Sequence, residues 1–196
     1  MRILVIGATG TIGQAVVTAL GARHEIVAAS QNKSVHRVDI AAPDSLAAFF
    51  AGVGPVNAIV CVAGKARFHP LAELSDEDFQ FCLANKLMGQ VNVIRHGFAH
   101  VRDGGSITVT SGVLAHTPMP GSAAISLVNA GLEGFVRGAA LEAPRGIRVN
   151  VVSPPWVTET LLAFKMDLPG GRTAADVAGL YAQSVEGSAT GATIGF

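Results

Sequence analysis

The sequence predicts an α/β domain built on a parallel sheet, and three observations lead there. Short β-branched runs alternate with longer stretches of helical periodicity, the pattern of strands separated by helices. Most runs are nearly continuous in apolar residues, as strands buried on both faces must be. Glycine reaches 23 residues while aromatics stay at 6%, which suits closely packed helices and strands.

Composition narrows the class. The 196 residues fit one domain with a full core. Hydrophobic residues make up 49% and charged residues 14%, against about 25% charged in an average globular protein, which excludes intrinsic disorder. Fourteen basic residues balance fourteen acidic ones, so no global field favours nucleic acid or an anionic membrane. The two cysteines, Cys61 and Cys82, cannot make a disulfide framework and suit a reduced compartment. No segment approaches the ~20 apolar residues of a membrane helix, and the first apolar run is too short for a signal peptide. The expectation is a cytoplasmic protein without membrane or nucleic-acid partners.

The strand-like runs fall at 3–6, 25–29, 35–38, 58–62, 106–110 and 147–152, with a further short one at 192–195. Helical patterns fill 11–22, 44–51, 76–101, 122–143 and 174–185. Ser75 with Asp78, and Thr173 with Asp176, form capping boxes that start two of them. Ile125, Val128, Leu132, Phe135 and Ala139 recur at helical spacing and predict a buried stripe. Only 30–34 separates the second and third runs, too few residues for the usual crossover of a dozen or more. Either an extended segment returns directly to the sheet there, or 35–39 is an irregular edge.

Between the first strand and the first helix lies Gly7-Ala8-Thr9-Gly10-Thr11-Ile12-Gly13. Glycines allow a tight turn and close backbone approach, and the N–H groups opening a helix bind a pyrophosphate. The spacing is GxxGxxG, but its position between strand and helix supports a dinucleotide site. A ribose-binding acid normally ends the second strand; the chain has Ser30-Gln31-Asn32-Lys33 instead. No carboxylate stands there to repel a 2′-phosphate, and Ser30, Asn32 and Lys33 offer donors. The reading favours NADP(H) over NAD(H), with a solvated loop lysine as the alternative for Lys33.

With Val38-Asp39-Ile40, Cys61-Val62-Ala63-Gly64, Gly146-Ile147-Arg148-Val149-Asn150 and Asp176-Val177-Ala178 added to the glycine turn, the chain over nearly its whole length resembles the short-chain dehydrogenase/reductase family. Val38-Asp39-Ile40 resembles the family's adenine-contacting segment. Cys61-Val62-Ala63-Gly64 is similar to its Asn-Asn-Ala-Gly turn with both asparagines replaced. The strongest stretch runs from Asn129-Ala130-Gly131-Leu132-Glu133-Gly134-Phe135 through Gly146-Ile147-Arg148-Val149-Asn150-Val151-Val152-Ser153-Pro154. Asp176-Val177-Ala178 and Thr190-Gly191 match the family's C-terminal end. The resemblance implies a Rossmann-type, doubly wound parallel sheet in a single NAD(P)-binding domain over 1–196, with the helix between strands 2 and 3 missing. It places cofactor contacts at Gly7, Thr9, Gly10, Thr11, Ile12, Gly13, Ser30, Gln31, Asn32, Lys33, Asp39, Ile40, Val62, Ala63, Gly64, Lys86, Thr110, Pro154 and Val157.

In the family a Ser, a Tyr and a Lys, usually with an Asn, surround the nicotinamide, Tyr and Lys sitting four apart on one helix face. Here Ile125 falls at the tyrosine, Asn129 at the lysine and Lys86 at the asparagine of the preceding long helix. Lysine and asparagine have changed places. The lone tyrosine, Tyr181, matches no family position. An ungapped count back from Ile125 puts Gly112 at the serine, and a shift of one residue puts Ser111 there. Past the sixth strand, Pro155 replaces the family's glycine and Glu159 fills its threonine slot, with Thr158 and Thr160 as neighbours. Residues 156–172 resemble the substrate lid, where Trp156 and Phe164 either line an apolar pocket or anchor the loop.

Other signals are weaker. His96 and His100 at i and i+4 lack the further ligands a metal needs and read as a solvated helix face; no metal is expected. Glu73, Asp76, Glu77 and Asp78 crowd a helix N-terminus, where the dipole favours them. His69 and His116 follow strands, at positions bordering the ligand crevice of an open sheet, and histidine titrates near neutrality. The expected catalytic set is therefore Ser111, Lys86, Asn129 and His116. The leading reading is NADP(H)-dependent oxidoreduction of a small carbonyl or alcohol, the proton coming from His116, Ser111 or water. A catalytically silent dinucleotide-binding or regulatory protein, and a non-redox enzyme such as an epimerase or dehydratase, are the alternatives. The resemblance also implies a homodimer or homotetramer, with Gly131, Gly134 and Gly138 allowing close helix approach.

Overall fold

A computed structural model describes residues 1–195. Its strands are β1 Arg2–Ile6, β2 Glu25–Ser30, β3 His36–Arg37, β4 Val56–Cys61, β5 Val101–Thr110, β6 Arg148–Val152 and β7 Thr193–Ile194. They form one sheet in the order β3-β2-β1-β4-β5-β6-β7, parallel at every pairing. The chain winds outward in both directions from β1 and β4, which leaves a crevice beyond their carboxyl ends. The Rossmann-type doubly wound sheet expected above is the fold observed.

Alternating strand side chains divide the core into two layers. Ile3 and Val5 pack with Val16, Leu20, Val177 and Tyr181 from α1 Thr11–Gly21 and α7 Ala174–Glu186. Leu4 and Ile6 join the opposite cluster of Leu46, Phe50, Val93, Ile94, Leu132 and Val136. That layer holds α2 Pro43–Val53, α4 Gly89–Gly97 and α5 Ala123–Glu142, while α3 Asp76–Cys82 packs its Cys82 with Ala124 and Val128 of α5 in a smaller cluster. Both capping boxes close as expected: Ser75 and Thr173 each accept from the backbone N–H three residues on, and the N3 aspartate reaches back.

Four sequence expectations need correction. The run at 35–38 contributes only His36 and Arg37, paired with Ala29 and Ser30. Because β3 begins level with the end of β2, the chain has no strand length to climb and needs no helix. Ser30 Oγ accepts from Lys33 N at 3.1 Å, and Ser30 O accepts from Val38 N at 3.1 Å, so an extended segment returns directly to the sheet. The helix expected at 76–101 stops at Gly97 and is interrupted by a π-helical turn at Leu83–Met88. The lid contains a helix the periodicity did not announce, α6 Thr158–Phe164. Finally, the stripe on α5 centres on Val128, Leu132 and Val136, all fully buried, with Ile125, Phe135 and Ala139 at its margin.

Candidate active site

The first half of the site is the glycine turn. Gly10 caps α1 without a side chain, and no acidic residue occupies the first turn, so the opening N–H groups of Thr11, Ile12 and Gly13 have no side chain competing for them. Gly13 is required by close approach, because a Cβ there would collide with the Gly7 carbonyl and lie 2.9 Å from Ala8 Cα. The cradle is open on the side where an anion would sit.

A groove continues from this turn, lined by Gly7, Thr9, Gly10, Ser30, Gln31, Asp39, Ile40, Val62, Ala63 and Gly64, ten of the expected cofactor contacts. Asp39 is held in place: Oδ2 accepts from Gln31 Nε2 at 2.9 Å and Oδ1 from Ala41 N at 3.0 Å. Asn32 and Lys33 stand exposed on the turn and do not line the groove. Lys65 and Asn85, which the sequence reading did not single out, do; Asn85 Oδ1 accepts from Lys65 N at 2.7 Å. Thr11 flanks an adjoining cavity with Glu159 and Ala174.

The second half is a cavity of about 220 Å³ past the end of β5. Lys86, Asn129 and Ile125 line it together with Ile12, Gly112, Pro154, Val157 and Thr160. The exchanged lysine and asparagine thus meet in one place, reached from two different helices. Lys86 sits in the π turn, a distortion that re-aims a side chain, and its Nζ donates to Ser111 O at 3.2 Å. A Cβ on Gly64 would come within 3.1 Å of Lys86 Cγ, so glycine there lets the π turn approach. Burial pulls the Lys86 ammonium down to about 8 from 10.5, with Cys82 opposing.

Asn129 Nδ2 donates to Gly112 O at 3.3 Å, which fixes the amide orientation. Its Oδ1 is buried without a partner among the described residues, in a residue only 1% exposed. An unpaired buried acceptor is costly, and a ligand hydroxyl beside it would supply the donor. An open anion cradle whose Ile12 also lines the cavity of the orphaned Asn129 acceptor suits a dinucleotide, whose pyrophosphate and ribose hydroxyls answer those features.

Several expected residues turn elsewhere. Ser111 lines the cavity, but its hydroxyl donates to Glu133 Oε1 at 2.7 Å. Gly112, and not Ser111, faces Asn129: a Cβ there would lie 3.1 Å from Nδ2. His116 is outside this cavity, 59% exposed, with Nε2 2.7 Å from Glu133 Oε2. His69 is exposed on its loop. Thr110 also leaves the crevice, because its hydroxyl donates to Cys61 O at 2.7 Å and then accepts from the buried Tyr181 at 2.8 Å. Tyr181 therefore belongs to the α7 layer and not to the site.

Glu133 is the structural residue that periodicity hid. It follows Asn129 by one turn, is 3% exposed, and ties the β5 end and the following loop to α5. Glu133→Ala should leave Ser111 Oγ with only its long 3.4 Å contact to Val152 O and His116 without its carboxylate, at roughly 1–3 kcal/mol for the buried partner. Thermal unfolding checks this: the midpoint falls while dinucleotide binding persists.

The segment 156–172, which resembles the family's lid, is pinned at its base. Glu159 accepts from Ala174 N through both carboxylate oxygens at 3.0 Å, capping α7, so its carboxylate serves as a strap. Of its neighbours, Thr160 lines the Lys86 cavity. Trp156 packs edge-on against Phe68 at 6.5 Å between centroids and lines a cavity of about 360 Å³ under the lid with Val113, Met119 and Leu168. Phe164 is 71% exposed and lines neither.

Residues 12–180 match the family pattern described as Enoyl-(Acyl carrier protein) reductase. The chain belongs to the short-chain dehydrogenase/reductase family. Several relatives show the range. The protein lin1944 from Listeria innocua is 36% identical, with a TM-score of 0.96 over the whole of this chain and 98% of that one. The 3-oxoacyl-[acyl-carrier-protein] reductase of Rattus norvegicus is 34% identical over 128 residues, 61% of this chain and 54% of the rat protein. Hydroxynaphthalene reductase arp2 of Aspergillus fumigatus is 31% identical over 105 residues, 53% of this chain and 38% of the fungal one. The chain therefore spans about half or less of these curated relatives. A small-chain dehydrogenase solved in complex with NADPH shares the fold, at 24% identity and a TM-score of 0.88 over 100% of this chain and 96% of that one. No helix among the described residues is long and apolar enough to cross a membrane.

Proposed function

We propose that this short-chain dehydrogenase/reductase binds NADP(H) and interconverts a small, uncharged carbonyl compound and its alcohol without the family's tyrosine. The observation that carries the reading is the buried, unpartnered Asn129 Oδ1 in the Lys86 cavity. Asn129 accepts from a ribose hydroxyl, and Lys86 adds a charged donor beside it. The N–H groups at the start of α1 take the pyrophosphate. When bound, the nicotinamide supplies or removes the hydride. The Lys86 cavity adjoins the one under 156–172, sharing Val113, Pro155 and Trp156 with it, and Met119 and Leu168 extend an apolar wall that matches a neutral substrate reaching Lys86.

Preference for the 2′-phosphate rests on charge at the end of β2. Ser30–Lys33 carries no carboxylate of its own, and Asp39 in the same groove is already engaged by Gln31 Nε2 and Ala41 N. Ser30 lines the groove, and Arg37, aligned with Ser30 in the sheet, joins Lys33 as a nearby cation. The test is fluorescence titration with NADPH and NADH, followed by NADPH oxidation against a panel of aldehydes and ketones. NADPH should bind more tightly, and Lys33→Ala with Arg37→Ala should weaken NADPH while leaving NADH nearly unchanged. A charge-assisted hydrogen bond of this kind is worth about 1.5–3 kcal/mol. Equal wild-type affinity for the two cofactors sinks the assignment; binding without turnover turns the reading to a silent dinucleotide-binding protein. Gly131 lies against Leu87 of the same chain while Gly134 and Gly138 are exposed on α5, leaving that face open to the homodimer or homotetramer we propose.

A further inference from the structure

The tyrosine is gone from the crevice, yet an ionisable group remains in it. Among the residues lining the Asn129 cavity, Lys86 alone carries a titratable side chain. The other candidates are committed elsewhere: Ser111 Oγ donates to Glu133, His116 binds Glu133 and lines a separate cavity, and Tyr181 is sealed in the opposite layer. The Ser111 carbonyl, 3.2 Å from Nζ, holds the ammonium at the carboxyl end of β5, where an open α/β sheet places its ligands.

We propose that Lys86 is the proton donor of the reaction, taking over from the other helix the task the family gives to tyrosine. The inference rests on the NADP(H)-dependent reading above and deepens it. In the reductive direction the carbonyl carbon gains the hydride that NADPH supplies, and the carbonyl oxygen gains a proton from Lys86 Nζ. The C=O double bond becomes C–O–H, NADPH becomes NADP⁺, and Lys86, left as a neutral amine, takes a proton from water.

The surroundings suit this work. Ile125 and Asn129 face Lys86 from α5, Ser111 and Gly112 from the end of β5, and the Gly64 backbone from the loop after β4. None of these carries charge, and Cys82, one turn back on its own helix, is the titratable neighbour. Burial therefore brings the ammonium to about 8, close to the working range in which a general acid is most effective.

Arginine separates the proton from the charge, since a guanidinium keeps its charge but does not release its proton in proteins. Lys86→Arg should hold NADPH within about threefold of wild type yet lose about 10²–10⁴-fold in turnover, the usual contribution of general acid catalysis. Lys86→Met should lose turnover and bind NADPH more weakly. Wild-type reduction should fall as pH rises through about 8, a limb absent from the residual activity of Lys86→Arg. A readout independent of turnover is trace acetylation of the cofactor-free protein across pH, with peptide mass spectrometry reporting the titration of Lys86. A midpoint near 8 supports the proposal, whereas an ordinary lysine midpoint overturns it. So does Lys86→Arg turnover above a tenth of wild type with the same alkaline limb, a result that leaves the NADP(H) reading standing. Failure of the wild type to bind NADPH overturns that reading, and this one with it.

Discussion

Gly13→Ala should reduce NADPH binding by more than tenfold and lower the unfolding midpoint at the same time. The added Cβ would meet the Gly7 carbonyl and lie 2.9 Å from Ala8 Cα, both backbone atoms of the turn itself. No side chain can swing aside to relieve the contact, so the turn must open or α1 must withdraw from β1. Overpacking of this kind costs typically 1–3 kcal/mol, and each 1.4 kcal/mol of distortion charged to binding is a tenfold loss. Gly179→Ala on α7 is the control, because its Cβ meets nothing within 4 Å and it stands exposed. There the better helix propensity of alanine should stabilise by about 0.8–1.0 kcal/mol and leave binding alone. A Gly13→Ala protein that melts and binds like wild type would remove the glycine turn from the site.

What could be read from the chain was what depends on neighbours in sequence. The glycine turn, both capping boxes and the alternation of strands and helices are local, and the structure holds them where they were expected. The missing helix between β2 and β3 was legible because five residues cannot make a crossover. Resemblance carried further: it exchanged Lys86 and Asn129 between helices, and both line the same cavity. Direction was harder to see. Resemblance placed Ser111 and Thr110 near the crevice and a strand-end rule placed His116 there, but each side chain found a closer partner across the fold. Glu133 took the first two and Tyr181 took the third. Those partners lie 22, 17 and 71 positions away, and no pattern within one element announces such a pairing. The π turn at Leu83–Met88 was equally hidden, because its residues keep a helical pattern and only backbone geometry reveals the widened turn.

Rebuilding the family's arrangement should require three substitutions and not two. Ile125→Tyr with Asn129→Lys places the tyrosine and its lysine four residues apart on α5, where i and i+4 side chains are neighbours. In this protein the new ammonium would enter a cavity already holding Lys86 Nζ. Two cations sharing one desolvated space disfavour each other's charged forms, and both would compete for the same ribose hydroxyls. Adding Lys86→Asn removes the competitor and returns a short donor and acceptor to the π turn between α3 and α4. The triple variant should therefore exceed the double variant in NADPH-dependent carbonyl reduction, up to about the 10²–10⁴-fold that general acid catalysis supplies. Its pH profile should follow tyrosine in place of Lys86. Gly112 limits the outcome, since it offers no hydroxyl where it faces the residue at 129. Lys86→Asn alone should lose activity, because it removes the proposed donor without restoring the tyrosine. NADPH oxidation by wild type, the single, the double and the triple variant at matched pH measures each step. A double variant whose gain is not improved by Lys86→Asn would show that Lys86 does not share the ribose site, and the exchange of the two residues would lose its functional meaning.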